Sequence, residues 1–278
     1  MSATLTPAIS LFGFTLRQTV AERRSLLAML LMALPALFAL LIRWANGGAL
    51  RASELWEVYN GLGVYMLLGG VLPMTAMLFG PALITAESEH GTLVYWFTRR
   101  LKRWQVLIVR FAAQAVVLSV LGIAAMIALH FALLVRTDPQ LVQQAFVNAP
   151  PATELRAYLT VMFWAALGFL AVFTLISLLT VKALLVSGLY LVFVEIVLGN
   201  LPAAVRMYSI SHQIRRSLAG DLPHILKIYA PKVELIEQMY PRGGSGAGTL
   251  TIIVAILLVF SAILTTRKEL SARPAASD

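Results

Sequence analysis

The residues best placed for chemistry fall in one short stretch, Ile84 to Trp104. It opens with two acids, Glu87 and Glu89, and closes with four cations, Arg99, Arg100, Lys102 and Arg103. Carboxylates are stabilised near the positive N-terminal end of a helix and cations near its negative C-terminal end, so this order of charge predicts a helix over 86–103. Leu93, Trp96, Phe97 and Arg100 recur at i, i+3, i+4 and i+7, which puts three large apolar groups on one face. Such a helix can lie on a lipid surface or present its apolar face to a groove on a partner.

Other candidates are isolated. Glu195 is the only acid well inside an apolar run. A carboxylate within a membrane is costly and by default marks a functional site. Its place near the end of the run also allows a structural role at the outer interface. The histidines, His90, His130, His212 and His224, are scattered without metal-ligand spacing. His130, at the end of another apolar run, reads either as a satisfied polar group or as part of a gate. With no cysteine there is neither a disulfide framework nor a thiolate metal site. The sequence has no G-x-x-x-x-G-K-[ST] phosphate loop and no H-E-x-x-H pair. Gly243-Gly244-Ser245-Gly246 resembles the nucleophile motif of rhomboid intramembrane proteases, which pair their serine with a histidine in a later span. No histidine follows His224 here, so Ser245 lacks that base, and a glycine-rich hinge is the favoured reading.

The elements that position these residues follow from composition and periodicity. Of 278 residues 59% are hydrophobic and 13% charged, against about 25% charged in soluble domains. The bilayer is therefore the main solvent, and the fold class is an all-α polytopic membrane protein. The net charge of +9 then points to loops facing anionic headgroups rather than to nucleic acid. Residues 1–25 read as an interfacial helix, with Ile9, Phe12, Leu16 and Val20 roughly on one face. Six spans are expected, at 26–42, 58–84, 106–135, 158–180, 184–201 and 249–264. Pro35 should kink the first. The second is rich in glycine, which lets helices approach closely in lipid, and Arg110 in the third can snorkel to the surface. The amphipathic helix lies in the 85–105 loop. The 202–248 segment is expected outside the membrane and carries two amphipathic pieces, 205–218 and 222–239. Lys and Arg counts, with the long 202–248 segment set aside, favour cytoplasmic termini.

The motif Glu87-x-Glu89-x-Gly91-Thr92-Leu93, followed by a basic patch and a new span, resembles the permease subunits of type-2 ATP-binding-cassette exporters. The likeness extends to the whole plan, with its N-terminal helix, six spans and elaborated segment between the fifth and sixth. It implies that 86–103 is a coupling helix docked on a separate cytoplasmic ATPase. Glu87, Glu89, Gly91, Thr92, Leu93, Trp96, Phe97 and Arg100 would form the docking surface. It further implies two ATPase copies that hold ATP and magnesium, no cofactor or catalysis in this chain, and a second permease protomer, identical or not. Both termini would face the cytoplasm, in a cell membrane whose lipid is the remaining partner. The pathway would be lined by spans two and five, with Met66, Met74, Met77, Phe193 and Glu195 as candidates. The apolar spans suit a lipid, a lipid-linked molecule or an amphipathic drug better than a small ion.

Overall fold

Proline and short polar turns punctuate the helices of this chain. The computed structural model describes residues 2–47, 50–82, 102–135, 137–197, 199, 209–225 and 246–267. Among the described residues there are helices and no strand. In chain order they are α1 (Ser2–Ala21), α2 (Arg23–Ala45), α3 (Ala52–Phe79), α4 (Arg103–Leu134), α5 (Pro139–Ala145), α6 (Pro151–Leu179), α7 (Ala183–Val197), α8 (Ile210–Asp221) and α9 (Gly246–Arg267).

Five of them, α2, α3, α4, α6 and α9, are long and apolar enough to cross a membrane and mark the chain as membrane-embedded. The expected fifth span is represented by α7, which has 15 residues. At 1.5 Å per residue this described part of the helix rises about 22 Å. Its second half, Leu191–Val197, is π-helical, which shortens the rise. A second π-helical stretch, Leu62–Val71, lies in the glycine-rich middle of α3.

Helix starts follow local chemistry. Asp138 caps α5 by accepting from the Gln140 N–H at 2.9 Å, with Pro139 in the first turn. Gln105 reaches back to the Lys102 N–H at the start of α4, 3.0 Å away. Pro151 opens α6, so this helix begins seven residues before the expected span and takes in Glu154. Arg43 spans from the end of α2 to the carbonyls of Ala132, Leu133 and Val135, where a cation suits the negative end of α4.

The core forms around α4 and α6. α4 packs on α1, α2 and α6, while α6 also packs on α9, α8 and the last turns of α3. Tyr59, Leu67, Leu72, Leu118, Met126, Tyr158, Phe169 and Phe173 are among its fully buried side chains. Small residues set the closest approaches. A Cβ added at Gly80 would lie 2.5 Å from the Phe173 Cβ.

Two expectations change in detail. On α1 the stripe buried against the bundle is Leu11, Thr15 and Thr19, while Ile9 and Val20 of the predicted apolar face are exposed. Arg110 does not snorkel outward. It is buried on α4, beneath the packed α1, with the Glu22 carboxylate close enough to act on its charge. Pro35 is buried within α2, whose helix runs on through it.

Candidate functional site

The polar chemistry of the described residues gathers around one inserted element, α8 with the turn that follows it. The amphipathic pattern of 205–218 places this piece outside the spans. In the structure α8 packs against α6 and α9, with eight of its twelve residues buried, among them Ile210, His212, Ile214 and Leu218. Ile210 sits against Gly168, far along α6, where a Cβ would lie 3.2 Å from its Cγ2. At the other end, a Cβ at Gly246 would meet the Ser217 nitrogen at 2.4 Å. Glycine at both positions is what lets a helix fit against two others.

A helix starting inside an apolar bundle exposes up to four amide N–H groups that water cannot reach. Glu195 satisfies two of them. Its Oε1 accepts from the Ile210 N–H at 3.1 Å and its Oε2 from the Ser211 N–H at 2.8 Å. The Tyr190 hydroxyl donates to Oε1 at 2.7 Å and the Ser209 hydroxyl to Oε2 at 2.8 Å. Ser209 Oγ in turn accepts from the His212 N–H at 3.3 Å. Glu195 is 2% exposed, so its carboxylate is enclosed by the protein. It holds the positive end of α8 within the bundle, the arrangement that favours a negative group most.

A second buried carboxylate holds the far end of this insertion. Glu154, fully buried near the start of α6, accepts from Trp56 Nε1 at 3.1 Å and Asn60 Nδ2 at 3.4 Å, both on α3. Its Oε1 lies 2.8 Å from Nε2 of His224, in the turn after α8. The Tyr158 hydroxyl donates to Asn60 Oδ1 at 2.7 Å. Tyr59 packs edge-on to Tyr158, Phe146 and His130, and its hydroxyl is 3.2 Å from His130 Nδ1. His130 is thus a satisfied polar group. Glu154 and Gly168 are about 21 Å apart along α6, and α8 is about 18 Å long. The insertion therefore runs from the depth of Gly168 to the level of Glu154, with one acid at each end.

The predicted pathway residues differ in their exposure. Met66 is half-buried in the wide turns of α3, and Met77 is half-buried beside Gly188 of α7. Met74 and Phe193 are exposed, at 45% and 58%. Glu195 faces α8. The predicted docking residues Glu87, Glu89, Gly91, Thr92, Leu93, Trp96, Phe97 and Arg100 lie outside the described residues, as does Ser245. No group of three or more metal-ligating side chains occurs among the described residues.

Glu154, Trp56, Asn60 and His224 are missed by the sequence reading, which places Glu154 in a loop. A signal was present. Pro150-Pro151 followed by an acid three residues on is a helix start, which moves Glu154 onto α6. The pairing with His224, 70 residues away, has no local signal. No protein-family model matches the chain, and no curated protein is significantly similar to it.

Proposed function

We propose that this chain is the membrane-spanning permease subunit of an ATP-driven exporter of the type-2 ATP-binding-cassette class. The observation that carries the reading is the Glu87-x-Glu89-x-Gly91-Thr92-Leu93 stretch with its basic patch, which falls in the connection between α3 and α4. In this reading the apolar face of Leu93, Trp96 and Phe97 docks in a groove of a separate ATPase, since buried aromatics dominate such interfaces. Glu87 and Glu89 cap the helix or meet ATPase cations, and Arg100 and its neighbours meet acidic groups or anionic lipid.

The plan of the helices supports the reading. α1 precedes the first of five long apolar helices, the shorter apolar α7 lies between the fourth and fifth of them, and α8 follows it ahead of α9. In this reading two protomers form the pathway between them, and Met74 and Phe193, exposed on α3 and α7, are available to line it. ATP and magnesium bind in the ATPase pair, and their closure moves the docked helices. The carboxylates Glu195 and Glu154 act as positioning groups that hold α8 in place, not as transport ligands. Both termini face the cytoplasm in the cell membrane.

The test is co-purification from detergent with a lone ATP-binding-cassette ATPase encoded beside this chain. Wild type should retain the ATPase and Trp96→Ala/Phe97→Ala should lose it. Absence of an ATPase on wild type, with nucleotide added, would favour a non-transporting protein whose 86–103 helix lies on lipid.

A further inference from the structure

A groove of about 370 Å³ opens between the start of α4 and the end of α9. Trp104 and Ile108 line one wall; Leu258, Ala262, Ile263 and Thr266 line the other. Between residues 258 and 266 the wall runs about 12 Å along the helix axis. Trp104 and Ile108 are both 38% exposed and Ile263 44%, so the groove opens sideways, where the hydrocarbon of a bilayer would be. Next in sequence to its lining residues are Lys102 and Arg103, which precede Trp104, and Arg267, which follows Thr266; all three are exposed. A tryptophan beside cations at the end of membrane helices is the pattern of the headgroup level. The site thus combines an open apolar slot with cations near one end.

That combination has the shape and charge of one ligand class. We propose that the groove is a seat for an anionic phospholipid, one acyl chain lying between Ile108 and Ala262 and the phosphate at Lys102 and Arg267. The slot alone would take any lipid tail. The cations confer the preference for a negative headgroup, each Lys or Arg near the surface favouring it about fivefold. The seat bridges two helices that are remote in sequence, so an occupant would tie α9 to α4. This does not depend on the exporter reading.

The experiment is native mass spectrometry of the delipidated full chain, titrated with phosphatidylglycerol or phosphatidylcholine of equal chain length. Wild type should bind phosphatidylglycerol preferentially. Lys102→Gln/Arg267→Gln should lower that preference by about 25-fold, two cations at about fivefold each. Ala262→Leu, which fills the slot, should weaken both lipids. Arg51→Gln/Arg156→Gln, the same charge change on exposed positions elsewhere, should leave binding as in wild type. Glycerol phosphate should not compete. Equal binding of the two lipids by wild type overturns the proposal. So does a loss in the charge variant matched by the Arg51/Arg156 control, or full binding by Ala262→Leu, since either reduces the effect to general surface charge. Competition by glycerol phosphate would assign these cations to a free phosphate instead of a lipid.

Discussion

Replacing Glu195 by alanine removes the acceptor for four donors at once. Two of these, the hydroxyls of Tyr190 and Ser209, can rotate. The amides of Ile210 and Ser211 cannot turn away without unwinding the first turn of α8. A buried donor left without a partner costs about 1–3 kcal/mol, so the two amides together cost about 4 kcal/mol. If α8 opens as a unit, that lowers its protection against hydrogen exchange by about a thousandfold, up to the limit set by global unfolding. Glu195→Gln keeps one acceptor oxygen but turns an NH2 toward donors, so about half the effect, ~2 kcal/mol, is expected. The assay is hydrogen exchange followed by mass spectrometry in nanodiscs, comparing peptides from 209–221 with α6 peptides as internal reference. The expected order of protection is wild type, then Gln, then Ala, with the change confined to α8 and the turn after it. Wild-type exchange across 209–221 in Glu195→Ala would refute the idea that this carboxylate holds the insertion.

The opposite end of the insertion is tested by a double-mutant cycle with Glu154→Gln and His224→Gln in thermal unfolding. The 2.8 Å contact predicts a coupling of about 1–2 kcal/mol, and simple additivity would show the pair to be incidental. Gly80→Ala should destabilise by about 2 kcal/mol, because its Cβ would collide with Phe173 at 2.5 Å. Gly61→Ala, with nothing within 4 Å of the new Cβ, should be neutral or slightly stabilising; equal losses at the two sites would contradict the packing described.

The long apolar helices were legible because their signal is composition over about twenty residues, which no tertiary contact can disguise. Their ends were less so. Pro151 sets the start of α6 further outward and brings Glu154 into a helix, whereas a charged residue before an apolar run reads as loop. Glu195 stood out in the sequence as a buried acid, and a structural role was among its readings. Its partners could not be read, since two of the four donors are backbone amides, which every residue carries. α8 illustrates the same limit. Its amphipathic pattern is real, but periodicity says only that one face is apolar, not whether water or other helices cover the opposite face. Here the polar residues Ser211, His212, Gln213 and Ser217 are buried with the apolar ones. Gly168 and Gly246 make room for it, and in sequence they look like any other glycine of an apolar span.

The central claim is that residues 86–103 dock on an ATPase. The most direct test places a photoreactive amino acid at Trp96 in the full chain, co-expressed with the neighbouring ATPase, and identifies what it captures. Since the chain has no cysteine, a single Phe97→Cys with a thiol-specific probe gives an independent readout of the same face. The expected result is a crosslink from residue 96 to the ATPase, with Cys-probe labelling at 97 blocked when the ATPase is bound. Capture of lipid alone, with labelling at 97 unchanged by the ATPase, would contradict the claim and leave 86–103 as a helix lying on the membrane surface.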